Sequence, residues 1–399
     1  MRFLTRLHAI SAMVILSLFY FGWILPSLHI KTRIQKAWKG HARQLVVFGD
    51  DWSDIGEYRI SPPKAASVPV RDEGQGQLWT EVLCKELVCD YIDNFARSSI
   101  AGDNSSMGSL VDNDIYANAT SLNETSPNLV PDFKKQVQQW INFEKQKRLM
   151  PLRHGKGEWT IFTVQFGVWD LLRYASLGKK QATFAIDRSI EELFHNLNTI
   201  AEHKSEPIKV VLPVLFDVTF LPRFANLRSD HSADFAYDQH FAVFLLGYWN
   251  SVLSRAATHW TSGEIVMPDV NRILVNEVRA RQLYTMGITD ASGAGTQKPL
   301  FKEVETPCLS ASVPQDGDLQ GAVPLRCAEP TGHLFWDDMH LGGAAHTLIG
   351  KNAAELVNGN ETVNMDALEK EKNSDNKASV FSDLRKMRKD FRLKFPPTN

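Results

Sequence analysis

Apolar residues along the chain fall into two kinds of pattern. Four short runs, Leu45–Phe48, Trp159–Phe166, Ile208–Phe216 and Gly263–Met267, are almost unbroken and rich in β-branched residues. Runs of that kind read as strands covered on both faces, as in parallel sheets. Between and after them stand segments with helical spacing. One covers Gly76–Leu87, with Leu78, Trp79, Val82 and Leu83 on one face, and another covers Asp187–His203, with Ile190, Leu193, Phe194 and Leu197. Phe241–Trp260, Asn271–Met286 and Gly343–Val357 complete the set. Strands alternating with helices predict an α/β fold, a three-layer α/β/α sandwich around a mainly parallel sheet. Pro213 puts the end or edge of a strand inside the third run. Phe241–Trp260 approaches the length of a membrane span, but Tyr248, Asn250, Ser251 and Arg255 mark it as a core helix. Residues 100–131 read as a polar insertion on one rim of the sheet, and residues 287–332 as a long Gly/Pro/Ser-rich loop.

The two ends have different patterns. Ala9 to Leu28 form an apolar stretch after Arg2 and Arg6, long enough to cross a bilayer. No small-x-small cleavage pattern follows, which favours an uncleaved signal anchor over a cleaved signal peptide. The expected organisation is a cytoplasmic tail and anchor (1–29), a basic juxtamembrane linker (30–42), one catalytic-type domain (43–357) and a charged tail (358–399). In that tail Val380, Leu384, Met387 and Phe391 line one face of a basic helix, suited to a membrane surface, a partner or the chain's own domain.

Sidedness is contested by two signals. Lys31, Arg33, Lys36 and Lys39 follow the apolar stretch and favour a cytoplasmic domain. Sequons at Asn104, Asn118, Asn123 and Asn360 favour the opposite side, as do four cysteines that split into local pairs, Cys84 with Cys89 and Cys308 with Cys327. The lumenal or extracellular side is expected, with the membrane a partner through the N-terminal helix. The formal net charge of −2 over 399 residues gives no electrostatic footprint for nucleic acid. No zinc-type spacing and no phosphate-cradling glycine loop occur, so neither a metal nor a cofactor is implied.

The chemistry concentrates at two places. Val46-Val-Phe-Gly-Asp-Asp-Trp-Ser-Asp-Ile-Gly56 takes an apolar strand into a cluster of carboxylates. Phe335-Trp-Asp-Asp-Met-His-Leu341 sets an Asp and a His three residues apart, the acid and base of a hydrolytic triad. Together they resemble the GDSL, or SGNH, family of esterases and lipases. That family's first block reads Phe-Gly-Asp-Ser-x-Ser-Asp-x-Gly. Phe48, Gly49, Asp50, Ser53, Asp54 and Gly56 match it, while Asp51 stands where the family has its nucleophilic serine.

The family's second block is matched by Asn94, Phe95 and Ala96, with Ser99 at or near the glycine whose amide helps hold the oxyanion. The third, Gly-x-Asn-Asp, is matched by Gly167 and Asp170, with Trp169 in place of the oxyanion asparagine. The resemblance covers about residues 43–357. It implies Asp51, Asp337 and His340 as the catalytic positions, and Ser99 and Trp169 as oxyanion donors. Asp50, Ser53, Asp54, Asn94, Gly167 and Asp170 support the site, with Asp50 buttressing the first turn. The implied substrate is a small-molecule, glycan or lipid ester.

Asp51 needs no base to become a nucleophile, and its attack would give an acyl or alkyl intermediate opened by a His-activated water. Against an acyl ester it is a poor nucleophile, so a fold kept without turnover is the competing expectation. Ser53 as a displaced nucleophile is the weaker choice, because serine two residues on often only caps a turn. Arg97 is expected to pair with Asp51. Asp338 is expected to be exposed, and His346 structural or solvent-facing. A glycan-binding module is a further alternative. So is a Golgi glycosyltransferase using Asp50-Asp51 for a metal and nucleotide sugar, though that leaves Phe335-Trp-Asp-x-x-His340 unexplained.

Overall fold

The computed structural model describes residues 43–58, 72–98, 108–120, 130–149, 159–227, 233–310 and 325–363. The expected anchor, the linker and the basic C-terminal helix lie outside them, as do Ser99, Asn104 and Asn123. Five parallel strands form one sheet: β1 (Arg43–Gly49), β2 (Tyr91–Asn94), β3 (Trp159–Gln165), β4 (Ile208–Val211) and β5 (Gly263–Val266), in the order β2-β1-β3-β4-β5. A short antiparallel pair, β6 (Leu309–Ser310) and β7 (Leu325–Arg326), stands apart from it. The described helices are α1 (Trp79–Glu86), α2 (Asn113–Thr120), α3 (Phe133–Leu149), α4 (Val168–Tyr174), α5 (Lys179–Lys204), α6 (Pro222–Leu227), α7 (Ala233–His259), α8 (Val270–Met286) and α9 (Gly343–Gly359).

The molecule is therefore an α/β protein on a five-stranded parallel sheet. Helix α9 packs on α1, α8 and β5, while α5 packs on α2, α3, α4 and α7. Two such groups of helices are compatible with a three-layer sandwich. Their cohesion follows from apolar periodicity. Gln44 to Gly49 of β1 are all buried, and Phe48 stacks on Phe95 at 5.6 Å and meets Phe133 edge-on at 5.5 Å. On α5 the buried positions Ala182, Ala185, Ile186, Ser189, Ile190, Leu193 and Leu197 form one continuous stripe. Helix α8 starts where the Asp269 side chain accepts from Arg272 N–H and stops at Gly287 in the left-handed region.

Several expectations need correction. Cys84 and Cys89 are not bridged to each other, whereas Cys308 and Cys327 are. Cys84 lies in the packed core, and a helical Cβ tilts toward the helix N-terminus, away from a residue five positions on. The turn is closed by backbone instead: Cys89 N–H donates to the Cys84 carbonyl, with Val88 at positive φ. The expected insertion at 100–131 contains α2, led by the buried pair Leu110 and Val111. Helix α3 is not among the expected elements, although Phe133, Gln136, Val137 and Trp140 follow helical spacing. The Asp132 side chain caps it by accepting from Lys135 N–H. Pro213 lies just past the end of β4, as a strand-end proline should. Among the described residues no helix is long and apolar enough to cross a membrane, and α7 packs as a core helix.

The strand order changes direction between β1 and β3. In open α/β sheets such a point opens a crevice beyond the carboxyl ends of the two strands. The candidate residues gather there.

Candidate active site

Each candidate is carried to this crevice by a different local device. Asp51 is the second residue after β1. Its turn is fixed by Asp50, whose buried carboxylate accepts from Trp52 N–H at 3.1 Å and whose carbonyl accepts from Ser53 and Asp54 N–H. Trp169 and Asp170 open α4 directly after β3. That entry needs Gly167, which sits at φ 121°, where a Cβ would stand 2.6 Å from Leu215 and Trp249. Asp337 and His340 lie in a tight loop closed by Trp336 N–H donating to the His340 carbonyl. Within it Asp337 accepts from the Met339 and His340 N–H groups.

The three segments meet. His340 Nδ1 lies 2.8 and 2.9 Å from the two Asp337 oxygens, and its Nε2 lies 2.9 Å from Asp51 Oδ2. The Trp169 indole N–H donates to Asp51 Oδ1 at 2.8 Å. The imidazole thus bridges two carboxylates. Burial disfavours its charged form, but Asp337 and then Asp51 outweigh this and raise the His340 pKa well above the usual imidazole value. Burial likewise pushes Asp337 upward, and the His340 charge and hydrogen bond more than reverse it, leaving Asp337 below the carboxylate norm. The directions of these two shifts favour an imidazolium paired with the Asp337 carboxylate. The Asp51 side chain keeps only 9% of its surface exposed, against 27% for His340. Of the two, His340 is the more accessible to solvent.

The supporting residues form a second ring. Asp54 accepts from Gly56 N–H, Asn94 Nδ2, Tyr58 O–H and both the N–H and O–H of Ser98, tying the first turn to the segment after β2. Ser53 is wholly buried, and its hydroxyl accepts from the Trp79 indole, so it is no displaced nucleophile. Arg97 does not pair with Asp51. Its guanidinium donates to the Asn94 and Ala96 carbonyls and lies over the Tyr58 ring at 4.6 Å, near Asp54. The reason is reach: Arg97 follows β2, on the Asp54 side of the turn, while Asp51 faces His340. Asp338 is part-exposed and ion-paired with Arg223 at 2.8 Å. His346 is buried in α9, hence structural. Asn118 on α2 and Asn360 at the end of α9 are both exposed.

Four residues outside the expected set complete the site. Gly108 lies against its centre: a Cβ there would stand 2.2 Å from the Trp169 indole nitrogen and 2.8 Å from Asp51 Oδ1. Gln136 of α3 accepts from Gly49 N–H and donates to the carbonyls of Gly49 and Pro131 and to the Ser109 hydroxyl. Ser109 passes the connection on to the Arg97 carbonyl. Asp170 accepts from Val111 N–H, so it anchors the segment carrying Gly108. Trp52 donates its indole N–H to the Met339 carbonyl, joining the first turn to the histidine loop. The Cys308–Cys327 bridge stands beside that loop, since Cys308 and Leu309 N–H donate to the Phe335 and Trp336 carbonyls. Buried Asp50 has a second oxygen without a partner. Burial, and then the Asp51 charge, drive its pKa well above the usual range.

No family model and no curated protein matches the chain.

Proposed function

We propose that this chain is a hydrolase of the SGNH type, a three-layer α/β/α sandwich with flavodoxin-like strand order, in which Asp51 stands at the nucleophile position and serine-type cleavage of carboxylic esters is impaired. The observation that carries the reading is the His340 bridge: its Nδ1 on Asp337 and its Nε2 on residue 51, at 2.8 and 2.9 Å. That is the connectivity of an acid–base–nucleophile triad. Its components come from the two chain ends that resemble the family's first and last blocks. Trp169 N–H, aimed at Asp51 Oδ1, occupies the role of an oxyanion donor.

A specific observation also favours a second reading, an inactive glycan- or partner-binding domain. Both side-chain donors at the centre already point at Asp51, so the carboxylate fills the places of nucleophile and oxyanion together. It behaves like a tethered reaction product.

One experiment separates the two. The purified full chain, its Asp51→Ser variant and the Asp51→Ser/His340→Ala double variant are assayed with p-nitrophenyl acetate. Asp51→Ser is expected to gain turnover that the double variant loses by at least about 10²-fold, the usual scale of a general base. Equal rates in the two variants would remove the triad assignment. Exposed Asn118 and Asn360 and the Cys308–Cys327 bridge support an exoplasmic domain. An unchanged gel mobility after deglycosylation of the protein from its native host would argue against that placement.

A further inference from the structure

We propose that the electrophile matched to this site is an unbranched primary alkyl carbon carrying a weakly basic anionic leaving group, attacked by Asp51 to give an alkyl ester that His340 then helps water to open. The inference rests on the hydrolase reading above and names its substrate class.

The argument begins with the nucleophile. When a carboxylate adds to an acyl ester, the tetrahedral intermediate must expel either that carboxylate or an alkoxide. The alkoxide is by far the stronger base, so the intermediate returns to starting material. Attack on a saturated carbon has no such intermediate. It forms a carbon–oxygen bond to Asp51 as the leaving group departs with its electron pair, and the product is an ordinary ester. Ordinary esters are what a histidine-activated water opens.

The position of the donors fixes the leaving group. Trp169 Nε1 and His340 Nε2 are both bonded to the Asp51 carboxylate, 2.8 and 2.9 Å from its two oxygens. Displacement at saturated carbon is in line, so the leaving group departs from the side of the carbon remote from Asp51 and from the two donors bonded to its oxygens. It receives no proton from them, and must be stable as a free anion, as a halide or sulfonate is. Access fixes the alkyl group. With the Asp51 side chain 9% exposed and Gly108 packed against Oδ1, little room stands before the carboxylate, which favours an unbranched primary carbon over a branched one.

The same groups serve the second step. Once Asp51 is esterified it is neutral, and one of the two carboxylates that hold the imidazolium is gone. His340 releases its proton to solvent and becomes a base, still oriented by Asp337. Water adds to the Asp51 carbonyl carbon as His340 Nε2 takes its proton. The new oxyanion lies at Oδ1, where Trp169 N–H already points. Collapse expels the alkoxide, which takes a proton from His340, and the resulting Asp51 acid ionises to leave its proton on the imidazole. The sum is an alkyl compound plus water giving an alcohol, a proton and the anion, with Asp51 and imidazolium restored.

The test uses 1-bromobutane with the purified full chain in heavy-oxygen water, beside His340→Gln and Asp51→Asn. Wild type is expected to release bromide over many turnovers and to accumulate heavy oxygen in the Asp51 carboxylate. His340→Gln should stop after one bromide per chain, with a butyl ester mapped to the Asp51 peptide. Asp51→Asn should form neither product. Thermal unfolding checks that the variants fold. Absence of the Asp51 adduct in folded His340→Gln, or heavy oxygen entering butanol but never Asp51, would overturn the inference. If the alkyl probe fails while Asp51→Ser gains His340-dependent ester cleavage, the substrate class alone falls. If both fail, the hydrolase reading falls with it.

Discussion

Replacing Asp170 by Asn should make stability much less sensitive to pH. Asp170 is wholly buried at the start of α4, with one oxygen accepting from Val111 N–H at 3.3 Å and the other without a partner. Burial raises its pKa to about 7, against the lowering effect of the Val111 bond, the Asp170 backbone N–H and Arg173. The unfolded chain titrates this carboxyl near pH 4. Below that pH both states are protonated and the group contributes nothing. Between about pH 4 and 7 the unfolded state has lost the proton while the native state keeps it. Native stability therefore falls as pH rises, by roughly 1.4 kcal/mol per pH unit. Above pH 7 the full penalty is on the order of 4 kcal/mol.

Asparagine keeps the shape and the acceptor for Val111 N–H but has no proton to lose. Urea unfolding at pH 5 and pH 8 reads the difference. The stability of Asp170→Asn relative to wild type should increase by about 3 kcal/mol between those two pH values, at unchanged m. His340 also releases a proton as pH rises, and its raised pKa makes stability fall above about pH 6.5. That contribution is common to both proteins and cancels. An Asn-minus-wild-type difference that is the same at both pH values would refute the argument, because it would mean that buried Asp170 does not titrate in this range.

Gln136→Leu leaves Gly49 N–H and the Pro131 carbonyl without their partner, and should cost about 2–5 kcal/mol in urea unfolding; a loss under 1 kcal/mol would show that the clamp is dispensable. Cys308→Ser/Cys327→Ser opens a bridge across a separation of 19 residues and should cost about 3 kcal/mol under oxidising conditions. An unchanged urea midpoint would count against that. Gly108→Ala puts a Cβ 2.2 Å from the Trp169 indole nitrogen, so the indole must leave Asp51 Oδ1. The Trp169 indole N–H resonance should move in a nitrogen–proton correlation spectrum, and an unmoved resonance would contradict the packing.

The parts of this molecule legible in its sequence are those whose cause is local. The strand after Arg43, its turn of Asp50, Asp51 and Asp54, and the Asp337–His340 pair each lie within about ten residues. Their spacing carried both the element and the place of each residue in it. What was not legible depends on segments that meet only in space. Gly108, Ser109 and Gln136 build the floor of the site from an apparently featureless insertion and a helix whose spacing at Phe133, Val137 and Trp140 was nonetheless readable. Arg97 looked like a partner for Asp51 because the two share a rim, yet the carboxylate within its reach is Asp54. Cys308 with Cys327 was legible as a local pair, whereas the failure of Cys84 to bridge Cys89 turned on helix direction, which five residues of separation do not display.

Position 51 shows the same divide in chemical form. The sequence announced a carboxylate where a hydroxyl was expected, but only its contacts give the consequence. With a hydroxyl there, His340 would answer to Asp337 alone and could shed its proton to act as a base. With Asp51 it lies between two acidic side chains, and both work to hold the proton on the ring. On the proposed reading, connectivity and protonation are separable: Nδ1 and Nε2 of His340 lie where a triad would put them, while the second acidic neighbour works against release of the ring's proton.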